Sequence, residues 1–261
     1  MLNSEVQQYL ERNDIIIVPV GTTEMHGGMP LDCETVVSEA IGLKMAEACD
    51  ALLLTGLPYF YAGATASGRG TVQVSVRQGI DYLGAIARSL LRQGFKRQIY
   101  ISFHGPAHMT ICPMLNKSVD LFMMDKIQTD PVGVMKRMDS VFVAGYRIMG
   151  RLDDVPCTTE FFHPGQQSCA PFNDLFGLAY QSGAIGYCFQ ENGDHASTSA
   201  IPDEKTRLEM ADMGQEIFEA LVQRMNVPHV VEQMKDLAQY NLETEARYPW
   251  MPSAWNKAQG K

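Results

Sequence analysis

No stretch of this chain approaches the roughly 18 consecutive apolar residues that a membrane-crossing helix needs. Met1-Leu2-Asn3-Ser4-Glu5 has neither the basic nor the apolar region of a secretory leader, so a cytoplasmic protein without a membrane partner is expected. Cys-x-x-C spacing is also missing. Cys33, Cys49, Cys112, Cys157, Cys169 and Cys188 lie far apart, which argues against a disulfide scaffold and against a Cys-rich zinc site. Basic charge is scarce: 21 Lys and Arg are scattered among 30 Asp and Glu, and a net charge of −9 disfavours a nucleic-acid or anionic-membrane surface. Gly63, Gly68 and Gly70 occur without a G-x-x-x-x-G-K-S/T pattern, which excludes a nucleotide phosphate loop. The chain has no internal repeat, low-complexity tract or linker, so residues 1–261 are expected to form one domain with a small-molecule partner.

What is present is 46% apolar content, enough for a substantial core, in alternating strand and helix patterns. Strands are expected at Asp14–Val20, Leu52–Leu57, Thr71–Val76 and Gln98–Phe103. Helices are expected at Val6–Arg12, Thr35–Cys49, Asp81–Gln93 with Gly94 as its stop, Ile111–Asp125, Pro131–Met149 and Glu204–Met225. Pro58–Gly70 is expected as a long functional loop, His229 on a surface turn beside Pro228, and Tyr248–Lys261 as an irregular tail. This alternation predicts an α/β fold: a mostly parallel sheet with helices on both faces, in three layers. The sixteen methionines read as adaptable filling of core and interface.

The chemistry gathers where strands end, the edge at which open α/β sheets place ligands. Ile15-Ile16-Ile17-Val18 runs into Glu24 and His26, which are two apart and so share a side of an extended segment, and Glu34 follows just before a helix. One imidazole and two carboxylates form a borderline-hard set suited to Zn, Mn or Fe. Cys33 lies between two acids that raise a thiol's pKa, which blunts it as a nucleophile. A second strand ends in Ser102-Phe103-His104-Gly105. Two further polar clusters carry Glu160, Phe162 and His163, and Glu191 and His195. Tyr59, Tyr61, Phe161 and Phe162 are candidate walls for stacking on a flat ring.

Two ordered blocks of residues carry a family likeness. Pro19-Val20-Gly21-Thr22-Thr23-Glu24-Met25-His26-Gly27, Pro30-Leu31 and Glu34-Thr35 form the first. Gly70-Thr71, Arg88-Ser89-Leu90, Gly94-Phe95 and His104-Gly105 form the second. Together they resemble the creatininase family of metal-dependent amidohydrolases, over roughly the first 110 residues well and the rest loosely.

The resemblance implies a creatininase-like fold, two divalent ions and a ring-shaped homo-oligomer such as a hexamer. It implies that Glu24 and His104 help hold one ion, that His26 binds the other, and that Glu34 stands in the place of the family's bridging Asp. Pro106 occupies the place of a Glu ligand in creatininase itself, so Glu160 or Glu191 is expected to complete the second site. His163 and His195 share the features of the family's late His motif, whose imidazole handles the leaving-group proton. The implied reaction is attack of metal-bound hydroxide on a carbonyl of a small cyclic polar substrate, a cyclic amide. The alternatives are carbon–carbon hydrolysis of an oxidised inositol of the 3-dehydro-scyllo-inosose type, and a protein that keeps the fold but only binds a ligand.

Overall fold

The computed structural model describes residues 1–63, 69–105, 131–157 and 200–249. Its centre is β1, Ile15–Pro19, buried at every position. Such a strand needs cover on both faces, and its side chains alternate accordingly. Ile15 and Ile17 enter one apolar cluster, whereas Ile16, Val18 and Val20 enter another. Each such side chain removed from water contributes about 1.5–3 kcal/mol, which makes this short run the hub of both cores.

β1 is flanked by β2, Leu52–Leu53, and β3, Arg97–Ile101, in the order β2-β1-β3 with both pairings parallel. Parallel neighbours need crossover connections, and helices supply them. α2, Cys33–Cys49, returns from β1 to β2, and α3, Val76–Arg92, returns from the β2 side to β3. Tyr9 of α1, Asn3–Leu10, and Leu83 and Leu90 of α3 cover one face of the sheet. The other face is covered by α2 together with α4, Pro131–Ile148, α5, Glu204–Met225, and the start of α6, Val227–Arg247. The result is the expected three-layer α/β arrangement with a parallel sheet. No helix among the described residues is long and apolar enough to cross a membrane.

Several boundaries differ from the sequence expectation, each for a local reason. The segment 71–75 is not a strand, because Ser75 caps α3: its hydroxyl accepts from the Gln78 amide at 3.2 Å, and Gln78 Oε1 accepts from the Ser75 amide at 2.9 Å. That reciprocal box starts the helix five residues before the expected Asp81. α2 begins at Cys33, so Glu34 lies in its first turn and not in the loop before it. Residues 227–247 form a helix, α6, in place of the turn expected at His229, since Pro228 sits in the first turn, where a missing N–H costs nothing. Asn226, with φ 44°, breaks the chain direction between α5 and α6. The helix expected at 111–125 and the tail from residue 250 lie outside the described residues, as do residues 64–68 of the expected loop and the clusters at 158–198.

Candidate metal centre

The continuation of β1 is held close to the start of α2. Val20 donates to the Ile101 carbonyl at 2.8 Å and Gly21 to the Leu57 carbonyl at 2.9 Å, extending the sheet's hydrogen bonding past the end of β1. Gly21 is required here, because a Cβ at this position would lie 2.4 Å from both Cα and Oγ1 of Thr35. The chain then turns through a closed loop: Glu24 donates to the Leu31 carbonyl at 3.0 Å, and Met29 to the His26 carbonyl at 3.1 Å. Thr35 Oγ1 donates to the Thr22 carbonyl at 3.0 Å, fastening the first turn of α2 to the strand end.

This scaffold brings Glu24, His26 and Glu34 together, each offering a ligand atom within 4.8 Å of the others. All three are buried. Ligands at about 2.0–2.2 Å from one ion lie at most about 4.4 Å apart, so this arrangement is of the size that coordination needs. His104 arrives from the end of β3, the neighbour of β1. Its Nδ1 contacts Glu34 Oε2 and lies 3.5 Å from Glu24 Oε1. Its Nε2–H donates to the Tyr61 carbonyl at 2.8 Å. All four ligands expected within the described residues therefore meet at one place.

The electrostatics follow from burial and opposite charge. Burial alone would push the His104 imidazole down, but Glu34 and Glu24 outweigh it and lift it to about 9. Burial would likewise raise the Glu34 carboxyl, but His104, with help from His26 and the Thr22 hydroxyl, holds it at about 2. Burial, with Glu34 and Glu24 nearby, pushes the Cys33 thiol well up, as the acids beside it in sequence suggested. Buried carboxylates are tolerated when they are paired or coordinate a metal. Two carboxylates and two imidazoles form a borderline-hard donor set, and its residues fit a divalent cation such as Zn, Mn or Fe.

The Tyr61 side chain is 1% exposed, and its main-chain carbonyl accepts from His104. Glu160, Phe162, His163, Glu191 and His195 lie outside the described residues. Sequence reasoning missed Thr22, whose hydroxyl donates to Glu34 Oε2 at 2.5 Å, although a hydroxyl two residues before Glu24 was a usable signal. It also missed Phe142 of α4, whose ring meets the His26 imidazole edge-on at 4.9 Å. No local pattern marks that residue.

An α/β protein with a buried carboxylate and imidazole cluster at its strand ends is the class that this geometry defines. The sequence model of the Creatininase family, described as creatinine amidohydrolase, matches residues 1–167, and the chain belongs to that family. The 3-dehydro-scyllo-inosose hydrolase of Thermotoga maritima is 32% identical over 111 residues, which cover 40% of this chain. The chain spans 34% of that relative's length. Among solved structures, a Trp-to-Phe mutant creatininase superposes with a TM-score of 0.52 at 19% identity, covering 87% of this chain and 97% of that one. A Glu-to-Gln mutant creatininase complexed with creatine superposes with a TM-score of 0.53 at 17% identity over the same shares. At these identities the structural likeness speaks for the fold.

Proposed function

We propose that this chain is a metal-dependent hydrolase that opens a small cyclic polar substrate at a carbonyl, a cyclic amide in the first instance. The observation that carries this reading is the convergence of Glu24, His26 and Glu34 within 4.8 Å, with His104 Nδ1 turned toward the two acids. A divalent cation held by these residues makes hydroxide available near neutral pH and polarises the carbonyl that it attacks. Glu34 contacts His104 and lies within 4.8 Å of His26, so it would be the carboxylate to share if two ions were held. The Tyr61 carbonyl keeps the His104 ring from turning, and the Thr22 hydroxyl holds one oxygen of Glu34. Burial of all four side chains keeps bulk water from competing for them.

In the same reading Glu160 or Glu191 completes a second ion's ligands, His163 or His195 gives the leaving group its proton, and Tyr61 and Phe162 border the substrate. The partner is a small molecule, and the working form is a homo-oligomer.

A second reading has its own support. The Thermotoga maritima relative, 32% identical over the 111 residues matched, is named for hydrolysis of an oxidised inositol. In that chemistry hydroxide adds to a ketone and a carbon–carbon bond breaks, the electron pair leaving as an enolate. The same four donors serve it, and a different proton donor is needed.

The experiment is metal analysis of the purified full chain, followed by assay of creatinine, formamides, cyclic imides and oxidised inositols with added Mn²⁺. Turnover of a cyclic amide supports the first reading, and turnover of an inositol ketone alone supports the second. No bound metal and no turnover would leave a ligand-binding protein on the same fold. Glu34→Gln is expected to abolish turnover while the circular dichroism spectrum stays that of the parent. Unchanged activity would refute the shared-carboxylate role.

A further inference from the structure

We propose that Phe142 and Tyr146, one turn apart on α4, are positioning residues for the metal centre, holding the two ends of its loop against one helix face. The inference rests on the metal-dependent reading above and extends it to residues far away in sequence.

Phe142 is 1% exposed and wedged between the segments that carry both imidazoles. Its ring meets His26 at 4.9 Å with an interplanar angle of 76°, and on another side meets Phe103, the residue before His104, at 5.3 Å and 81°. Edge-to-face contacts of this kind have a preferred geometry, so they resist rotation of the imidazole plane.

Tyr146 acts on the other end of the loop. It is fully buried, and its hydroxyl donates to Asp32 Oδ1. Asp32 is the residue that opens α2, yet its side chain makes no capping bond to the helix. An Asp in that place ordinarily accepts a first-turn amide, worth about 1 kcal/mol. Here its second oxygen instead accepts from Arg151 Nη1 at 3.0 Å, so both oxygens are turned toward α4 and the turn that follows it. Glu34 lies two residues on, in the first turn of the same helix, and its depth in the site depends on where Asp32 is held.

Gly145, between the two aromatics, makes this reach possible. A Cβ there would meet Val37 Cγ2 at 2.7 Å and Val37 Cα at 3.1 Å, so α4 and α2 approach as closely as they do only without a side chain. Residues four apart share a helix face, which is why one helix can grip both ends of the loop.

The test is Mn²⁺ binding to the metal-stripped full chain, followed by calorimetry and by the spin resonance of free Mn²⁺, with circular dichroism and melting of the metal-free form as the structural control. Phe142→Leu and Tyr146→Phe are each expected to weaken Mn²⁺ binding roughly 10- to 100-fold while the metal-free protein stays folded. Asp32→Asn keeps an oxygen for the Tyr146 hydroxyl and is expected to bind within about threefold of the parent, whereas Asp32→Ala, which loses the Arg151 contact as well, is expected to weaken binding at least as much as Tyr146→Phe. The Tyr146→Phe/Asp32→Ala double variant is expected to bind no more weakly than Asp32→Ala alone, since the Tyr146 bond is already lost in that single variant.

Parent-like affinity in both aromatic variants, or equal weakening by Asp32→Asn and Asp32→Ala, would overturn the proposal. Should Tyr146→Phe not fold, the pair of Asp32 variants decides the matter without touching the core. A parent chain that binds no Mn²⁺ removes the metal-centre reading and this inference with it. A parent that binds tightly beside variants that bind equally removes this inference alone.

Discussion

The Nε2–H of His104 donates to the main-chain carbonyl of Tyr61 at 2.8 Å, and that bond decides which nitrogen the ring can offer. A carbonyl only accepts, so Nε2 keeps its proton, and Nδ1, which faces Glu34 and Glu24, is the nitrogen that gives up its proton when a metal is loaded. Metal-binding histidines commonly have the other ring nitrogen fixed in this way, by a backbone or carboxylate oxygen.

The metal-loaded protein is therefore expected to show His104 ligated through Nδ1 with a proton on Nε2. Long-range proton–nitrogen correlation of the imidazoles reads the tautomer directly. Ligation through Nε2 would mean that the Tyr61 contact breaks on loading.

Removing and restoring metal is expected to move stability. Chelation lowers the melting temperature, and Mn²⁺ at about 100 times its dissociation constant adds back about 2.7 kcal/mol for one site. Differential scanning calorimetry with and without chelator gives the answer. An unchanged melting temperature would show that these donors hold no ion.

Gly21→Ala is expected to destabilise the protein by about 1–3 kcal/mol or more and to weaken Mn²⁺ binding at the same time. Its Cβ would sit 2.4 Å from Thr35 Cα, and backbone cannot swing aside as a flexible side chain can. Strand and helix must separate, taking Thr22 and Glu34 apart. Urea denaturation together with Mn²⁺ titration measures both effects, and loss of stability with intact metal affinity would sever the link.

Tyr9 supplies an alkaline limit far from the site. Its hydroxyl bonds the Ile15 carbonyl at 2.7 Å and approaches the Asp50 carbonyl at 3.1 Å, and burial pushes its phenol up from 10 to about 12. The folded state thus favours the neutral phenol. Its contribution is complete below pH 10 and falls away as pH rises toward 12, by up to about 1.4 kcal/mol for each unit. Tyr9→Phe is expected to cost about 1–3 kcal/mol at neutral pH and to flatten that alkaline slope. Denaturation curves at pH 8, 10 and 11 compare the two proteins.

The elements that could be read from sequence are those whose signal is short in range. Ile15 to Val18 are apolar without interruption, and the strand lies where that run lies. Glu24 and His26 fall on one side because a two-residue spacing does so in extended chain. The misreadings occurred where two local signals competed. Alternating Thr71 to Val76 suggested a strand, while Ser75 and Gln78 wrote a capping box, and the box prevailed because it satisfies two amides that otherwise lack partners. Pro228 suggested a turn, yet in a first helical turn it is harmless. No local signal shows that the Asp32 carboxylate is taken by Tyr146 and Arg151, far along the chain.

The amino-acid sequence alone determined the α/β character, the family, and the presence of four acid and imidazole donors in two ordered blocks, because periodicity and motif order are properties of neighbouring residues. Only the tertiary structure decided that His104 meets Glu34 across 70 residues, that Tyr61 contributes a carbonyl, and that Phe142 and Tyr146 back the loop. Those contacts depend on which strands become neighbours and how closely two helices pack. Such choices are made by burial of the whole core and leave no mark in any single stretch of chain.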